Sequence, residues 1–357
     1  MRISDVARWP VWFFELFTTA KSFTANPIIG NRTLNGMGLH VARVMIAHAM
    51  TRWRWLFMGW MVPGPLRRQY RQQGYIAIEN FLPADDFAKL REEIVNFEGD
   101  LRRMVQGDTL TYQGLLDEQA LDNMPVCRRL LNDMRFRKLM MYGGGAFKLP
   151  MFFAHCVLNG VETGAADPQK DFHADTFHPT MKAWLFLDDV DDANGPFNYV
   201  PGSHRPTMNR LKWEHKNAVA GRDLGNTYAR RGSLRVSPAE LEANGFAEPL
   251  ALKVSANTLV MADTHGFHRR GNAAAGSSRL AVYAYSRSNP FNPLPGCAPV
   301  NWRNRIEQYF TRQGLRRADK EAASRGERAS WHSVPSSELG ETAGPAPAAA
   351  GIPQSAA

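Results

Sequence analysis

The sequence predicts a mainly β protein with flanking helices, an α+β arrangement in which a sandwich or jelly-roll barrel follows a helical N-terminal extension. Three observations lead to this fold class. Short β-type runs begin near residue 147 and are separated by turn residues, helical periodicity precedes them, and the composition of 44% hydrophobic and 22% charged residues is that of a globular protein. Many short strands with turn signals between them are typical of sandwiches and barrels. The 357 residues suffice for one large domain with extensions or for two modest ones.

The N-terminal extension, residues 1–72, is predicted to be mostly helical, basic and aromatic. Residues 1–75 hold ten basic side chains against two acidic ones, which is nearly the whole net charge of +9. The aromatic residues interleaved with them are Trp9, Trp12, Phe13, Phe14, Phe17, Phe23, Trp53, Trp55, Phe57 and Trp60. No run reaches the roughly 18 apolar residues that span a bilayer.

Two interpretations of this extension stay open. It is either an interfacial surface for anionic lipid headgroups or a helical segment that packs on the β domain with solvated arginines. The three cysteines have no CxxC or CxH spacing, so a reducing compartment is expected. We therefore expect a cytoplasmic protein, either free or peripheral on the inner face of the membrane. A nucleic-acid partner is not expected, since no known nucleic-acid module is present.

The following domain is predicted to span residues 73–318. It begins with a strand over 74–78 and a helix that starts near Pro83, followed by a second helix over 125–141. The β-type runs lie at 147–158, 181–187, 197–200, 250–254, 257–262 and 279–286. An insertion, 205–248, contains a capping box at Ser237 and Glu240. A last helix is predicted near 302–313, and the Ala-, Pro-, Ser- and Gly-rich segment 333–357 is predicted to be disordered.

The most informative motif is the pair His173 and Asp175, separated by a single residue. Side chains two residues apart lie on the same side of an extended chain. An imidazole and a carboxylate from one segment, with a second histidine from elsewhere, form the facial triad of non-haem iron(II) oxygenases. Alone, the pair is a weak signal, because both residue types are common on surface loops.

The sequence downstream of this pair strengthens the interpretation. In order, it contains Trp-Leu-Phe-Leu-Asp-Asp-Val at 184–190, Asn-Gly-Pro at 194–196, Val-Pro-Gly-Ser-His at 200–204, Asp-Thr-His-Gly-Phe-His-Arg at 263–269, and Arg279. This series resembles the phytanoyl-CoA dioxygenase family from about residue 74 to about residue 286. The resemblance implies a double-stranded β-helix, also described as cupin-like. It further implies Fe(II), 2-oxoglutarate and O2 as cofactor and co-substrates.

The resemblance also assigns individual residues. His173, Asp175 and His268 match the iron ligands, Arg279 matches the arginine that pairs with the far carboxylate of 2-oxoglutarate, and Trp184 matches a co-substrate contact. His268 is preferred over His265 because Arg279 follows it by eleven residues. His265 and the nearby His178 and His204 are expected to have structural roles. His155 is a candidate for lining the pocket, although a core histidine is an equal alternative.

The predicted substrate rests on a departure from the family pattern. The family often places Ser-Gly after the distal histidine, whereas this chain has Arg269 and Arg270. With Arg205, these arginines predict an anionic substrate if they converge on the site. The first candidate is a lipid or glycolipid such as the Kdo sugar of lipopolysaccharide. The alternatives are a small soluble or acyl metabolite of secondary metabolism and an inactive, lipid-binding barrel. Because Asp175 occupies the position that halogenases leave free for chloride, hydroxylation is the expected reaction.

Overall fold

A computed structural model describes residues 8–162, 164–296 and 300–344. The helices are α1 Trp9–Glu15, α2 Arg32–Gly36, α3 Leu39–Met58, α4 Gly64–Gln73, α5 Ala84–Val95, α6 Pro125–Asn132, α7 Met134–Gly144, α8 Met208–Val219, α9 Thr227–Arg230, α10 Pro238–Ala243, α11 Val300–Ala323 and α12 Ser337–Thr342. The strands are β1 Tyr75–Ile78, β2 Leu101–Gln106, β3 Thr109–Leu115, β4 Met151–Leu158, β5 Met181–Phe186, β6 Phe197–Tyr199, β7 Leu250–Leu252, β8 Leu259–Asp263, β9 His268–Arg270, β10 Ser278–Ser286 and β11 His332–Val334.

The strands form two antiparallel sheets. The large sheet has the order β1-β8-β5-β10-β4-β3-β2-β11, and the small sheet has the order β7-β6-β9. An isolated bridge between His173 and His268 connects the loop that carries His173 to β9 of the small sheet. This architecture confirms the predicted jelly-roll fold of the cupin-like type with flanking helices.

The side chains of β5 divide between two cores because successive residues of a strand point to opposite faces. Trp184 and Phe186 join a cluster with Phe197 and Tyr199 of the small sheet. Ala183 and Leu185 belong to the cluster that includes the buried faces of α3, α5, α6 and α7. The large sheet is thus covered by the small sheet on one face and by helices on the other.

The N-terminal extension packs on this domain along one side. Within the extension, the guanidinium of Arg43 in α3 donates to the carbonyl oxygens of Leu16 at 2.9 Å and Ala20 at 2.7 Å, and its guanidinium carbon lies 4.1 Å from the centroid of the Phe177 ring of the domain. Arg54, eleven residues after Arg43 in α3, donates to the Gly145 carbonyl of the domain at 2.6 Å. Trp55 stacks on Tyr142 with 5.4 Å between ring centroids. Within the described ranges, no helix combines the length and hydrophobicity that crossing a bilayer requires.

Two sequence-based boundaries differ from the structure. The helix expected over 125–141 is two helices, because Asp133 is extended (ψ 127°) and caps α7 by accepting from the Phe136 amide at 2.8 Å. The predicted start of the disordered tail, residue 333, is too early, since β11 and α12 are ordered and Leu339 is fully buried. Residues 345–357 lie outside the described part.

Of the three cysteines, Cys127 and Cys156 are buried free thiols, and Cys297 lies outside the described residues.

The β2–β3 hairpin was missing from the sequence-based prediction. Its two-residue turn places Gly107 at φ +59°, which glycine adopts without strain. Arg102 and Arg103 obscured the strand pattern. Their guanidinium groups pair with Asp319 at 2.9 Å and Glu338 at 3.0 Å, more than 200 residues away in sequence. A contact over that sequence distance leaves no local signal.

Candidate metal centre

Backbone hydrogen bonds bring the His173–Asp175 segment against β9. The amide of His173 donates to the His268 carbonyl at 3.0 Å, and the amide of His268 donates back to the His173 carbonyl at 3.0 Å. The amide of Asp175 donates to the Thr264 carbonyl at 2.9 Å. The extended segment therefore presents the side chains of residues 173 and 175 on the side of His268.

The three side chains form a compact cluster. One ligand atom from each of His173, Asp175 and His268 lies within 4.8 Å of the others. The Asp175 carboxylate Oδ1 is 3.7 Å from His173 Nε2 and 3.8 Å from His268 Nε2. The two imidazole centroids are 4.4 Å apart. Across the described ranges, no other group of three His, Cys, Asp or Glu side chains satisfies the same criterion.

The hydrogen bonds of the two imidazoles fit a metal ligand. His173 Nδ1 lies 2.8 Å from the Asp171 carbonyl, and His268 Nδ1 lies 2.9 Å from the Gly266 carbonyl. Since a carbonyl only accepts, each Nδ1 carries the proton and each Nε2 keeps a lone pair. Both Nε2 atoms are buried without a hydrogen-bond partner. A divalent cation would satisfy both orphaned nitrogens.

The protonation states of the cluster also suit a cation. Burial lowers the pKa of His173 well below its ordinary value, and burial lowers the pKa of His268 to about 4, so both rings are neutral. Burial alone would raise the pKa of Asp175, but the ammonium group of Lys182, 2.7 Å from Oδ2, opposes it, and that pKa lies well below its usual range. Two neutral imidazoles and one carboxylate are the donor set of a facial iron(II) site.

Two lysines near Asp175 were missed by sequence reasoning. Lys182 Nζ lies 2.7 Å from Asp175 Oδ2, and Lys21 of the extension donates to the Asp175 carbonyl oxygen. Lys182 could have been found, because it precedes Trp184 by two residues in β5 and therefore shares its face. Lys21 could not, since its approach depends on how the extension packs.

A cavity of about 190 Å³ adjoins the cluster and collects most of the predicted site residues. Its lining includes His173 and His268 together with Trp184, Arg279, His155, Lys182, Gln113, Tyr283, Arg269, Arg270 and Trp331. Arg279 is buried on β10, and burial, followed by the nearby Arg270, lowers its pKa to about 9. It stays protonated at neutral pH and donates to the Gly195 carbonyl. A planar guanidinium here can hold a carboxylate through two parallel hydrogen bonds.

The arginines proposed for the substrate do not all converge on this cavity. Arg270 lines it but pairs with Asp167 at 2.6 Å, and Arg269 lines it with its guanidinium 4.5 Å from the centroid of Phe172. Arg205 is placed elsewhere. It is exposed in the loop after β6 and borders a separate cavity beneath α3 and α4. Arg205 follows the Val-Pro-Gly-Ser-His motif at 200–204 directly, but the chain after Val200 leads to the separate cavity and not to the metal centre.

The remaining histidines lie outside the cluster. His265 Nδ1 lies 2.9 Å from the Thr176 carbonyl, and its ring packs against His48 with 4.9 Å between centroids. His178 Nδ1 lies 3.0 Å from the Pro179 carbonyl. His204 borders the same separate cavity as Arg205. His155 on β4 lines the metal-site cavity, and its ring centroid lies 4.9 Å from that of Tyr283.

Solved structures similar to this chain include several enzymes with bound 2-oxoglutarate. The epimerase SnoN in complex with Fe3+, alpha ketoglutarate and nogalamycin RO is 20% identical, with 62% of this chain and 81% of that chain covered and a TM-score of 0.40. EctD from S. alaskensis with 2-oxoglutarate and 5-hydroxyectoine is 16% identical (67% and 82% covered, TM-score 0.38). HygX from Streptomyces hygroscopicus with nickel and 2-oxoglutarate is also 16% identical (64% and 88% covered, TM-score 0.37). No curated protein matches this sequence significantly.

The family match comes from the sequence itself. Residues 70–243 match the model of phytanoyl-CoA dioxygenase, a little under half of the chain. The matched segment contains His173, Asp175 and Trp184, while His268 and Arg279 follow it and are brought to the same cavity by the fold. Residues 70–243 therefore carry a phytanoyl-CoA dioxygenase domain, and the protein is a non-haem iron dioxygenase that uses Fe(II), 2-oxoglutarate and O2.

Proposed function

We propose that this dioxygenase hydroxylates an unactivated C–H bond of an anionic, membrane-associated amphiphile, with the Kdo region of lipopolysaccharide or another glycolipid as the first candidate. In this proposal His173, Asp175 and His268 hold Fe(II), and Arg279 holds the far carboxylate of 2-oxoglutarate. The bound iron would supply oxygen activation coupled to oxidative decarboxylation of 2-oxoglutarate. The observation that supports an anionic substrate is the excess of positive charge around the metal-site cavity.

Four cationic side chains border that cavity, and three of them have an assignable partner. Arg279 is reserved for 2-oxoglutarate, Lys182 pairs with Asp175 at 2.7 Å, and Arg270 pairs with Asp167 at 2.6 Å. Arg269 is the fourth. Its Nε is buried without a hydrogen-bond partner, and no carboxylate within the described ranges pairs with it. An unpaired guanidinium beside the reacting centre favours a substrate that carries a carboxylate or phosphate.

Space for the rest of the substrate is available next to the metal-site cavity. At about 190 Å³ that cavity is small, but a second one of about 660 Å³ shares Gln113 and Trp331 with it. Phe153 and Tyr285 border the larger cavity and stack with 6.1 Å between ring centroids. They belong to the strands that carry His155 and Tyr283, two residues away on the same face. We assign the body of the substrate to this larger cavity, over the aromatic rings.

Membrane association is part of the proposal because the extension leaves many large apolar side chains in solvent. The most exposed are Trp9, Val11, Phe13, Phe14, Phe17, Met37, Met45, Ile46, Trp53, Leu56, Phe57 and Trp60. Monomeric soluble proteins rarely expose so large an apolar surface without a partner. The basic side chains among them favour anionic lipid as that partner. The buried side of the extension packs on the domain, so this surface would be held rigidly.

The proposal is tested by mass spectrometry of lipid, lipopolysaccharide and soluble metabolite extracts from cells that produce wild-type protein or Asp175→Ala. We expect one lipid-fraction species to gain a single oxygen atom only with the wild type. A gain confined to the soluble fraction would contradict the lipid substrate and leave the dioxygenase assignment intact. With the substrate in hand, Arg269→Gln should raise its KM without altering the KM for 2-oxoglutarate. Arg231→Gln, at the exposed residue that directly follows α9, is the charge-matched control.

A further inference from the structure

A second polar cavity lies where the N-terminal extension meets the domain, and the dioxygenase reaction has no use for it. This junction cavity, about 540 Å³, is bordered by α3, by the end of α4 and by the loop after β6. Its charged and titratable lining residues are His48, Arg52, Arg71, His204, Arg205 and Asp263. It shares no lining residue with the metal-site cavity.

The three arginines around the junction cavity are not neutralised. Arg52, Arg71 and Arg205 come from three different elements, and none has a carboxylate within salt-bridge distance among the described residues. Elsewhere the protein pairs its arginines readily, as in Arg210 with Glu214 at 2.9 Å. Three uncompensated guanidinium groups around one concavity create a positive potential that attracts an anion.

The acidic residue at this cavity does little to cancel that charge. Asp263 Oδ1 accepts from the amide of His265 at 3.0 Å and from the amide of Thr180 at 3.2 Å. These bonds turn one carboxylate oxygen toward the backbone. Burial raises the pKa of Asp263 to about 7, which makes the carboxylate partly protonated at neutral pH.

His48 gives a second, independent indication of a ligand. It is 94% buried against the domain, borders the junction cavity, and its Nε2 has no hydrogen-bond partner. Burial, followed by His204 and nearby arginines, lowers its pKa well below the ordinary value, so the ring is neutral and carries one N–H. A buried imidazole without a partner costs free energy unless something in the cavity supplies one.

We infer that the junction cavity binds a phosphate-type oxyanion, held by Arg52, Arg71 and Arg205 and by a hydrogen bond to His48. Arginines in a fork geometry and a neutral imidazole are suited to several oxygens of one tetrahedral anion. Arg52 lies beside Trp53 and four residues before Leu56 in α3, so the cavity flanks the exposed apolar surface. The oxyanion could therefore come from a lipid headgroup or from free phosphate.

The first test is calorimetric titration of full-length protein with inorganic phosphate. Wild type should bind saturably, and Arg71→Gln with Arg205→Gln should weaken the affinity by about tenfold or more, as expected for lost charge-assisted hydrogen bonds. The control pair, Arg32→Gln with Arg68→Gln, removes the same charge from exposed positions that do not line the cavity and should keep wild-type affinity. Absence of saturable binding to wild type, or equal loss in the control pair, would overturn the site.

A second arm identifies the source of the oxyanion. Vesicles that contain phosphatidic acid are compared with phosphatidylglycerol vesicles of equal surface charge, using the same two pairs of variants. A loss of binding confined to phosphatidic acid and to the cavity pair supports a lipid phosphomonoester. Unchanged vesicle binding together with lost phosphate affinity supports a soluble phosphate. Because all four arginines are exposed, we expect each variant to keep its fold. Thermal unfolding of each variant checks this.

Discussion

The metal-site cavity and the N-terminal extension both contain buried arginines, but these arginines differ in what they contact. In the cavity, Arg279 is buried, lines the space beside the metal site, and gives one hydrogen bond to the protein, from Nη1 to the Gly195 carbonyl. In the extension, Arg43 and Arg54 are equally buried, but their donors end on backbone carbonyls of the protein itself. Burial of a cation therefore does not identify a binding site; Arg279 differs in lining a cavity and in giving one hydrogen bond to the protein where Arg43 and Arg54 give several.

The same comparison explains why the extension has two faces. Burial lowers the pKa of both Arg43 and Arg54 to about 10, so each remains charged and ties a loop to α3. The guanidinium carbon of Arg43 also lies 4.1 Å from the Phe177 ring centroid, next to the segment that carries His173 and Asp175. On the opposite side of α3, Trp53, Leu56 and Phe57 face solvent. One helix thus both supports the catalytic domain and presents an apolar surface.

The largest effect should come from removing a metal ligand. His268→Ala and Asp175→Ala should each abolish succinate formation from 2-oxoglutarate, because two remaining ligands no longer make a facial triad. Anaerobic calorimetry should show loss of Fe(II) binding in the same variants, and chelation of iron should stop turnover by the wild type. His265→Ala is the matched control, since His265 hydrogen bonds to Thr176 and lies outside the cluster. Iron binding that follows His265 and not His268 would contradict the assignment.

The next effect is on stability and concerns the extension. Arg43→Ala leaves the carbonyls of Leu16 and Ala20 without their donor and removes the contact with Phe177. We expect the free energy of unfolding in urea to fall by about 2–4 kcal/mol. Arg52→Ala on the same helix is exposed and should change it by less than about 0.5 kcal/mol. Equal and small effects would show that the contacts of Arg43 add little to the stability of the protein.

These predictions separate what the sequence could and could not establish. The segment with His173 and Asp175 was predictable because its ligand spacing is local, and Ser237 with Glu240 formed the expected capping box. The position of Arg205, at a cavity separate from the metal site, could not be predicted because the path of the chain after Val200 depends on tertiary packing. The contact of Lys21 with Asp175 could not be predicted for the same reason, since the two residues are 154 positions apart in the sequence. Contacts fixed by packing over such distances leave no periodic trace in the sequence.

A smaller effect should distinguish Arg279 from the other cavity arginines. Arg279→Lys keeps the charge but loses the two-pronged donor, so the KM for 2-oxoglutarate should rise about ten- to a hundredfold, equivalent to roughly 1.5–3 kcal/mol. Arg270→Lys, which retains a donor for Asp167, should leave that KM nearly unchanged. An unaltered KM in Arg279→Lys would move the carboxylate-binding role to another cation of the metal-site cavity, Arg269, Arg270 or Lys182.

The smallest effect concerns the exposed face of the extension. Trp53 and Phe57 are 47% and 50% exposed and pack edge to face with 5.3 Å between centroids. Because half of each ring is already buried in protein, insertion into a lipid interface should gain only about 1 kcal/mol per ring. Replacing both by serine should therefore weaken binding to anionic vesicles by about thirtyfold. Point variants are preferable to deletion of residues 1–72, which would also remove Arg43 and Arg54.

The matched control for this pair lies on α11. Tyr309 and Phe310 are 59% and 67% exposed and also pack edge to face, at 5.6 Å, so replacing them by serine removes a similar exposed aromatic pair. Co-sedimentation with vesicles should be reduced only by the Trp53 and Phe57 replacements. It should require anionic lipid and weaken with ionic strength, since the attraction of each basic residue, on the order of 1 kcal/mol, is screened by salt. Equal sedimentation with neutral vesicles, or equal loss in both pairs, would show that the exposed rings of α3 are not a membrane-binding surface.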